Sequence, residues 1–174
     1  MKPVFLVLCE GETEEAYLGY LRQTYRSPIK IVPKVTGDSI CQQLVIRKMK
    51  EVKLSPTERI MVFLMYDRDV EAINDKIDKC KGVFLFSNPC VELWFLLHNK
   101  AIMTSMNSDT CINALRKVGG VWSNYEKSVI TETQKADLTG KVFKAIINAQ
   151  KLSLYDNPST SIYKLVEAIL DSVM

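Results

Sequence analysis

Short apolar runs alternate with amphipathic segments along the first hundred residues of the chain. Four runs rich in Val, Ile, Leu and Phe have the length of strands that are buried on both faces. These runs cover residues 4–9, 29–35, 60–66 and 83–86. Between them, apolar positions recur at helical spacing over residues 13–25, about 37–52 and 70–80. Because strands and helices alternate, the sequence predicts a parallel α/β sheet with right-handed crossover connections.

The rest of the chain has helical periodicity. The predicted helices cover residues 88–98, 111–118, 134–152 and 157 to about 169. Asn88 is expected to cap the first of these helices and Asn157 to begin the last, each with a proline in the first turn. No repeat or Pro/Gly/Ser-rich linker divides the sequence. We therefore expect one domain over residues 1–174, with a core of about 1–100 and a helical extension of about 101–174.

Two acidic clusters follow two of the apolar runs. The first extends from Glu10 to Glu15, and the second is Asp67-Arg68-Asp69. The carboxyl ends of parallel strands form the edge at which open α/β sheets bind ligands. Several carboxylates at one edge need a cation or protons to offset their repulsion. The clusters therefore predict a divalent metal site, and two aspartates on one side of an extended chain suit the oxygen-seeking Mg²⁺.

Each acidic residue also has a simpler interpretation. Glu10 lies at a strand end, where Gly11 permits close approach of a phosphate or metal; alternatively, Glu10 complements the dipole of the following helix. Glu14, four residues later, can face the same side as Glu10. Asp67 and Asp69 are predicted metal ligands, or part of a turn in which Asp69 caps a helix. Arg68, which lies between them, is expected to contact a backbone phosphate or to act as an internal counter-charge.

Three further residues carry possible chemistry. Glu92 lies in a strongly apolar helix, where a carboxylate needs a partner; it could complete the metal site or pair with an arginine. Ser159 lies at a predicted helix start whose amides could bind a phosphate, although capping alone explains the residue types. His98 ends a predicted helix, which favours an interaction with the helix dipole over catalysis.

Composition narrows the class of protein. The net charge of +3 is compatible with nucleic-acid binding without arguing for it. The 5 cysteines contain no C-x-x-C pair and there is 1 histidine, which argues against a zinc site and fits a reducing cytosol. The first apolar run meets Glu10 without a cleavage site, and no run reaches the roughly 20 residues of a membrane helix. We therefore expect a cytoplasmic protein with no membrane partner.

Four sequence blocks in order resemble a known family. Glu10-Gly11 and Asp67-x-Asp69 are similar to the Toprim signature, and the wider set resembles the RloB-like proteins, which are Toprim-related and associated with bacterial defence. The blocks are Cys-Glu-Gly-x-Thr-Glu at 9–14, Asp-Arg-Asp at 67–69, Ser-Asn-Pro-Cys-x-Glu-Leu-Trp at 87–94 and Asn-Pro-Ser-Thr-Ser at 157–161. The resemblance implies a three-layer, Toprim-like (Rossmann-like) α/β fold with a helical C-terminal extension.

The resemblance also implies a role in phage defence or abortive infection. The implied activity is Mg²⁺- or Mn²⁺-dependent cleavage of DNA or RNA. In that interpretation Asp67, Asp69 and Glu14 hold the metal, and Glu10 is a ligand or general acid/base. Nuclease-type Toprim sites often include a lysine near the metal, for which Lys141, Lys144 and Lys164 are candidates. The alternatives are a non-catalytic module that binds nucleic acid or nucleotide and serves a partner ATPase, and a structural interaction protein.

Overall fold

The computed structural model describes residues 1–32, 39–68 and 70–174. The strands are β1 (Lys2–Cys9), β2 (Ile29–Val32), β3 (Glu58–Asp67), β4 (Val83–Asn88) and β5 (Ser159–Thr160). The helices are α1 (Glu12–Thr24), α2 (Gln42–Glu51), α3 (Glu71–Asp78), α4 (Glu92–Leu97), α5 (Ser108–Lys117), α6 (Glu132–Gly140), α7 (Val142–Gln150) and α8 (Tyr163–Val173). The predicted elements at 29–35 and 37–52 extend into residues 33–38, which lie outside the described residues.

The strands form one sheet in the order β2-β1-β3-β4-β5. β1 is parallel to both β2 and β3, and β4 is antiparallel to β5. The architecture is a mixed, Rossmann-like three-layer α/β fold, which confirms the predicted fold class. The apolar runs predicted to be strands hold the positions of β1 to β4.

Contacts between Cα atoms divide the chain into two compact units. The first comprises the described parts of Met1–Tyr66, Val70–Leu85 and Lys164–Met174; the second comprises Asp67, Arg68 and Phe86–Tyr163.

The first unit has an apolar core against its parallel strands. Alternate residues of β1 and β3 pack with α2 and α3 because side chains two apart share a face of a strand. This cluster includes Leu6, Leu8, Leu64, Tyr66, Val45 and Ile77. The intervening residues are buried as well, and the rings of Phe5 and Phe63 lie 5.7 Å apart. Burial of both faces explains why β1 and β3 are nearly continuous apolar runs.

The second unit is built around α4. Every residue from Glu92 to Leu97 is buried, and α4 contacts α5, α7 and β5. The Phe95 ring stacks on Trp122 at 5.9 Å, and the Trp122 indole donates to Asp137 Oδ2 at 2.8 Å. A helix that is apolar on all sides is stable only when other elements surround it.

The segment around Asn88 corrects one prediction. Asn88 does not cap a helix; it is the last residue of β4 and pairs with Ser159, and α4 begins only at Glu92. The last helix was likewise predicted to start at Asn157, but Ser159 and Thr160 form β5 and α8 begins at Tyr163. Strand pairing between these two segments explains both differences.

The predicted helix at 134–152 is also wrong in one respect. The segment contains two helices, because Lys141, with φ −119° and ψ 12°, interrupts it after Gly140. Glycine is a poor residue for a helix interior. The Lys141 side chain binds Asp137 Oδ1 at 2.6 Å and Asn99 Oδ1 at 2.7 Å, which holds the break in place.

We expect Thr160→Val to destabilise the protein by about 1–3 kcal/mol, because it removes a buried hydroxyl while keeping the side-chain shape. The Thr160 hydroxyl lies 2.9 Å from Ser87 Oγ and 3.1 Å from the Phe86 carbonyl oxygen. Urea unfolding of both proteins measures the difference. Thr104→Val, at an exposed threonine, is the control; equal losses in the two variants would contradict a special role for the β4–β5 hydroxyls.

Candidate functional site

The first acidic cluster lies where β1 leads into α1. Cys9 is the partner of Met65 in the β1–β3 register, and the Glu10 N–H donates to the Met65 carbonyl at 3.2 Å. Glu10 therefore continues the strand pairing by one residue, and its side chain is half-buried. Gly11 is the N-cap residue of α1.

Gly11 allows a carboxylate to approach the backbone closely. Its φ of −150° is accessible to any residue, so the backbone conformation at this position does not itself require glycine. A Cβ atom at this position would lie 3.1 Å from Glu14 Oε2. Glu14 is only 6 % exposed and lies in the first turn of α1, whose dipole favours negative charge. Glu10, Gly11 and Glu14 thus form one compact acidic segment.

Tyr66 lies beside this segment and was not singled out by the sequence. Its hydroxyl is buried and has no hydrogen-bond partner among the described residues. Burial, reinforced by the negative charge of the nearby Glu10, raises the pKa of Tyr66 far above its usual value. The phenol therefore remains protonated and can act only as a neutral hydrogen-bonding group. In the sequence, Tyr66 ends the apolar run of β3, and nothing distinguishes it there from the core residues of that strand.

The second cluster lies at the end of β3. Asp67 is the last residue of that strand and is half-buried, whereas Asp69 lies outside the described residues. The backbone N–H of Arg68 donates to the Ser87 carbonyl at 2.9 Å. The Arg68 guanidinium carbon is 4.1 Å from the centre of the Tyr155 ring.

Asn88 belongs to the same surroundings as Arg68. Its Nδ2 donates to the Tyr155 carbonyl at 3.3 Å. Asp67, Arg68 and Asn88 therefore lie at neighbouring ends of strands in the second unit, with Tyr155 against two of them. No sequence pattern singles out Tyr155, because it lies between predicted helices and outside their periodicity.

A metal-binding group is not evident in the described part of the chain. No set of three or more His, Cys, Asp or Glu side chains is arranged there to hold an ion. Asp69, a predicted ligand, is not among these residues. The predicted ligands that are described offer carboxylate oxygens, which are the donors that Mg²⁺ prefers.

Glu92 has a different partner from either of those predicted. It is 1 % exposed, and the Tyr125 hydroxyl donates to its Oε1 at 3.0 Å. Cys90 lies close to Glu92 and Cys111; the hydrogen bond with Cys111, burial and the nearby charges raise the pKa of the Cys90 thiol strongly. Glu92 thus anchors α4 within the second unit.

Ser159 is completely buried in β5, and its hydroxyl donates to the Asp156 carbonyl. The helix N-terminus on which the predicted phosphate site depended is at Tyr163 instead. Among the candidate lysines, Lys141 and Lys144 donate to the side chain and backbone of Asn99, each at 2.7 Å. Lys164 is exposed on α8.

His98 is a neutral core residue. It is 1 % exposed, and its Nδ1 lies 2.8 Å from the Trp94 carbonyl oxygen. Burial lowers the pKa of His98 to about 4, although the Trp94 carbonyl and the Asp137 charge act in the opposite direction. The predicted interaction of a charged His98 with the helix dipole therefore does not apply at neutral pH.

The match to family models agrees with the sequence blocks. The model of the RloB-like protein family matches residues 5–169, and the chain belongs to this family. Comparisons with curated proteins and with solved structures found no match. Among the described residues, no helix combines the length and apolar composition needed to cross a membrane.

The buried His98 predicts a loss of stability in acid. Its pKa is about 4 in the folded protein, against 6.5 for an ordinary histidine. Between these values the unfolded chain binds a proton that the folded protein does not, so the free energy of unfolding falls as the pH falls from 6.5 to 4. The contribution is at most roughly 3 kcal/mol, since one pKa unit is about 1.4 kcal/mol.

Urea unfolding between pH 4 and pH 7 measures this effect. We expect His98→Gln, which cannot be protonated, to lose stability less steeply over that range, whatever its stability at pH 7. Identical pH dependence in the two proteins would show that His98 is not the group responsible.

Proposed function

We propose that this RloB-like protein is a Mg²⁺- or Mn²⁺-dependent nuclease that acts in bacterial defence. The observation that supports the proposal is the position of its acidic residues. Two parallel, paired strands are each followed or ended by carboxylates: Glu10 follows β1, and β3 ends at Asp67. The carboxyl ends of parallel strands are where α/β proteins bind ligands. The similarity of both segments to Toprim motifs supports the same activity.

In this proposal Asp67, Asp69 and Glu14 are the metal ligands. A bound divalent cation would bind the scissile phosphate and stabilise negative charge on the leaving oxygen. Glu10 is a further ligand or the general acid/base that moves a proton during cleavage. Gly11 serves the same site, because the absence of a side chain leaves room for the Glu14 carboxylate at the start of α1.

A non-catalytic function is the second candidate. Two of the lysines considered for a catalytic role, Lys141 and Lys144, are bound to Asn99 at the end of α4. With these two lysines engaged at Asn99, the second candidate is a protein that binds nucleic acid or nucleotide and acts through a partner ATPase. The two candidates differ in one measurable property, which is metal-dependent cleavage of a phosphodiester bond.

Metal binding should stabilise the folded protein, because a ligand that binds only the folded state shifts the unfolding equilibrium. We expect millimolar MgCl₂ or MnCl₂ to raise the melting temperature by several degrees. Asp67→Asn combined with Asp69→Asn should abolish this rise, as measured by differential scanning fluorimetry. The double variant should be at least as stable as the parent without metal, since like charges are removed.

The control for this experiment is Asp171→Asn, at an exposed aspartate in α8. It should keep the full metal response. If the double variant responds to metal as the parent does, Asp67 and Asp69 are not the ligands.

Cleavage should depend on Glu10. We expect Glu10→Gln, which keeps the side-chain size but removes charge and basicity, to lower metal-dependent cleavage at least about 100-fold, a typical contribution of a general acid or base. Nucleic-acid binding should be largely retained. Labelled single- and double-stranded DNA and RNA, incubated with Mg²⁺ or Mn²⁺, are the substrates.

Glu12→Gln is the matched control, because Glu12 is an exposed acid only two residues away. It should cleave at the parental rate. Parental cleavage by Glu10→Gln would assign the activity to another site. If the parent cleaves none of the substrates, with or without a partner ATPase, the binding module replaces the nuclease.

A further inference from the structure

Tyr155 combines two unusual features. It is 49 % exposed although it is a large aromatic residue, and its φ is 70°. A positive φ is uncommon for a residue with a bulky side chain, and such conformations concentrate at functional sites. Tyr155 lies in the segment that connects α7 to β5. The positive φ of Tyr155 therefore indicates a role beyond that of a residue in a surface turn.

The surroundings of Tyr155 hold its ring in place. The Phe86 ring is 4.7 Å away at an interplanar angle of 34°, and the Asn88 amide donates to the Tyr155 carbonyl at 3.3 Å. The Arg68 guanidinium carbon lies 4.1 Å from the ring centre. An arginine at this distance from an aromatic ring is attracted to the negative face of the ring. The Arg68 guanidinium thus packs against a ring that is itself held by Phe86 and Asn88.

The Arg68 guanidinium carries five N–H donors, of which those on Nη1 are buried. Five donors in a planar fork match the oxygen atoms of a phosphate, which is why arginine is favoured for phosphate recognition. Arg68 is half-buried and directly follows Asp67, a residue of the proposed cleavage site. Fixing such a side chain in advance reduces the entropy that is lost when it binds a ligand.

We infer that Tyr155 is a positioning residue that holds Arg68 for contact with a phosphate of a nucleic-acid backbone. This inference rests on the proposed function, because it assigns a phosphate contact beside the same acidic residues. The recognised chemistry is the phosphodiester group, which DNA and RNA share. Tyr155 acts through Arg68 and needs no contact of its own with the ligand.

Binding without metal tests the inference separately from cleavage. A fluorescein-labelled single-stranded 20-mer of DNA and the RNA of the same sequence are titrated with the protein in EDTA, between 50 and 300 mM KCl. Loss of one phosphate contact should lower the slope of log Kd against log[KCl] by about 0.7 for a single strand. Arg68→Gln should show this reduction and weaken binding at 100 mM KCl roughly three- to ten-fold.

Three further variants separate positioning from charge. Tyr155→Leu keeps Arg68 but removes the ring, and it should weaken binding roughly two- to five-fold, the size expected for an exposed cation–π contact. Tyr155→Phe keeps the ring and should bind as the parent does. Lys127→Gln removes one exposed positive charge elsewhere in the second unit and should leave Kd unchanged within about two-fold. Circular dichroism establishes that each variant is folded.

The outcomes are distinct. If Arg68→Gln binds with the parental slope, Arg68 contacts no phosphate and the inference is overturned. It is also overturned if Tyr155→Leu binds as the parent does, or if the parent binds neither probe. If Tyr155→Leu fails to fold, Tyr155→Gln takes its place as the variant without the ring, and Arg68→Gln still tests the phosphate contact. The DNA and RNA titrations show which nucleic acid is preferred. A melting temperature that does not respond to Mg²⁺ or Mn²⁺ would count against the proposed nuclease but not against this inference.

Discussion

Pairing of the short strand β5 with the end of β4 is the constraint on which the second unit depends. The backbone N–H of Ser161 donates to the Phe86 carbonyl at 2.9 Å, and the Phe86 N–H donates to the Ser161 hydroxyl at 3.0 Å. The three residues from Ser159 to Ser161 are completely buried. A buried hydroxyl without a partner costs more than a hydrogen bond contributes, so these polar side chains permit only a narrow range of arrangements. The same pairing fixes the segment that carries Tyr155.

The second unit uses the same principle around α4. A helix buried on all sides brings polar groups into the interior, and Glu92, His98 and the Leu97 carbonyl each have a protein partner there. Tyr125 binds Glu92, the Trp94 carbonyl binds His98, and Asn148 Nδ2 donates to the Leu97 carbonyl at 2.8 Å. The polar residues of this helix, whose partners could not be inferred from the sequence, therefore bind other residues of the same unit. They contribute to a specific arrangement of α4.

How far the sequence predicts this structure depends on the range of the interactions. The strands β1 to β4 and the helix α1 follow from local periodicity, because burial on one or both faces leaves a pattern in neighbouring residues. Asn88 and Asn157 show the limit: an Asn-Pro pair has the composition of a helix start, but here strand pairing between segments about seventy residues apart takes precedence. No local pattern carries that information, and β5 is too short to have a period of its own.

The residues of the candidate site likewise fall into those that local sequence patterns predict and those that they do not. The acidic residues at strand ends could be recognised because their position follows from the strands themselves. Tyr66 and Tyr155 could not, since the first resembles any other core residue of β3 and the second lies in a connecting segment. The environment of Glu92 was equally hidden, because its partner Tyr125 is contributed by a distant part of the chain.

The path of the chain between the two units has a practical consequence for dissecting the protein. The carboxyl-terminal helix α8 belongs to the first unit, together with the amino-terminal strands, whereas the intervening residues from Phe86 to Tyr163 form the second. A fragment that stopped near residue 100 would lack α8 and would also leave the apolar surface of Leu93, Trp94 and Phe95 without α5 and α7. Such a fragment would be expected to aggregate, so shortened forms of the protein should retain both ends of the first unit and either keep or replace the second unit as a whole.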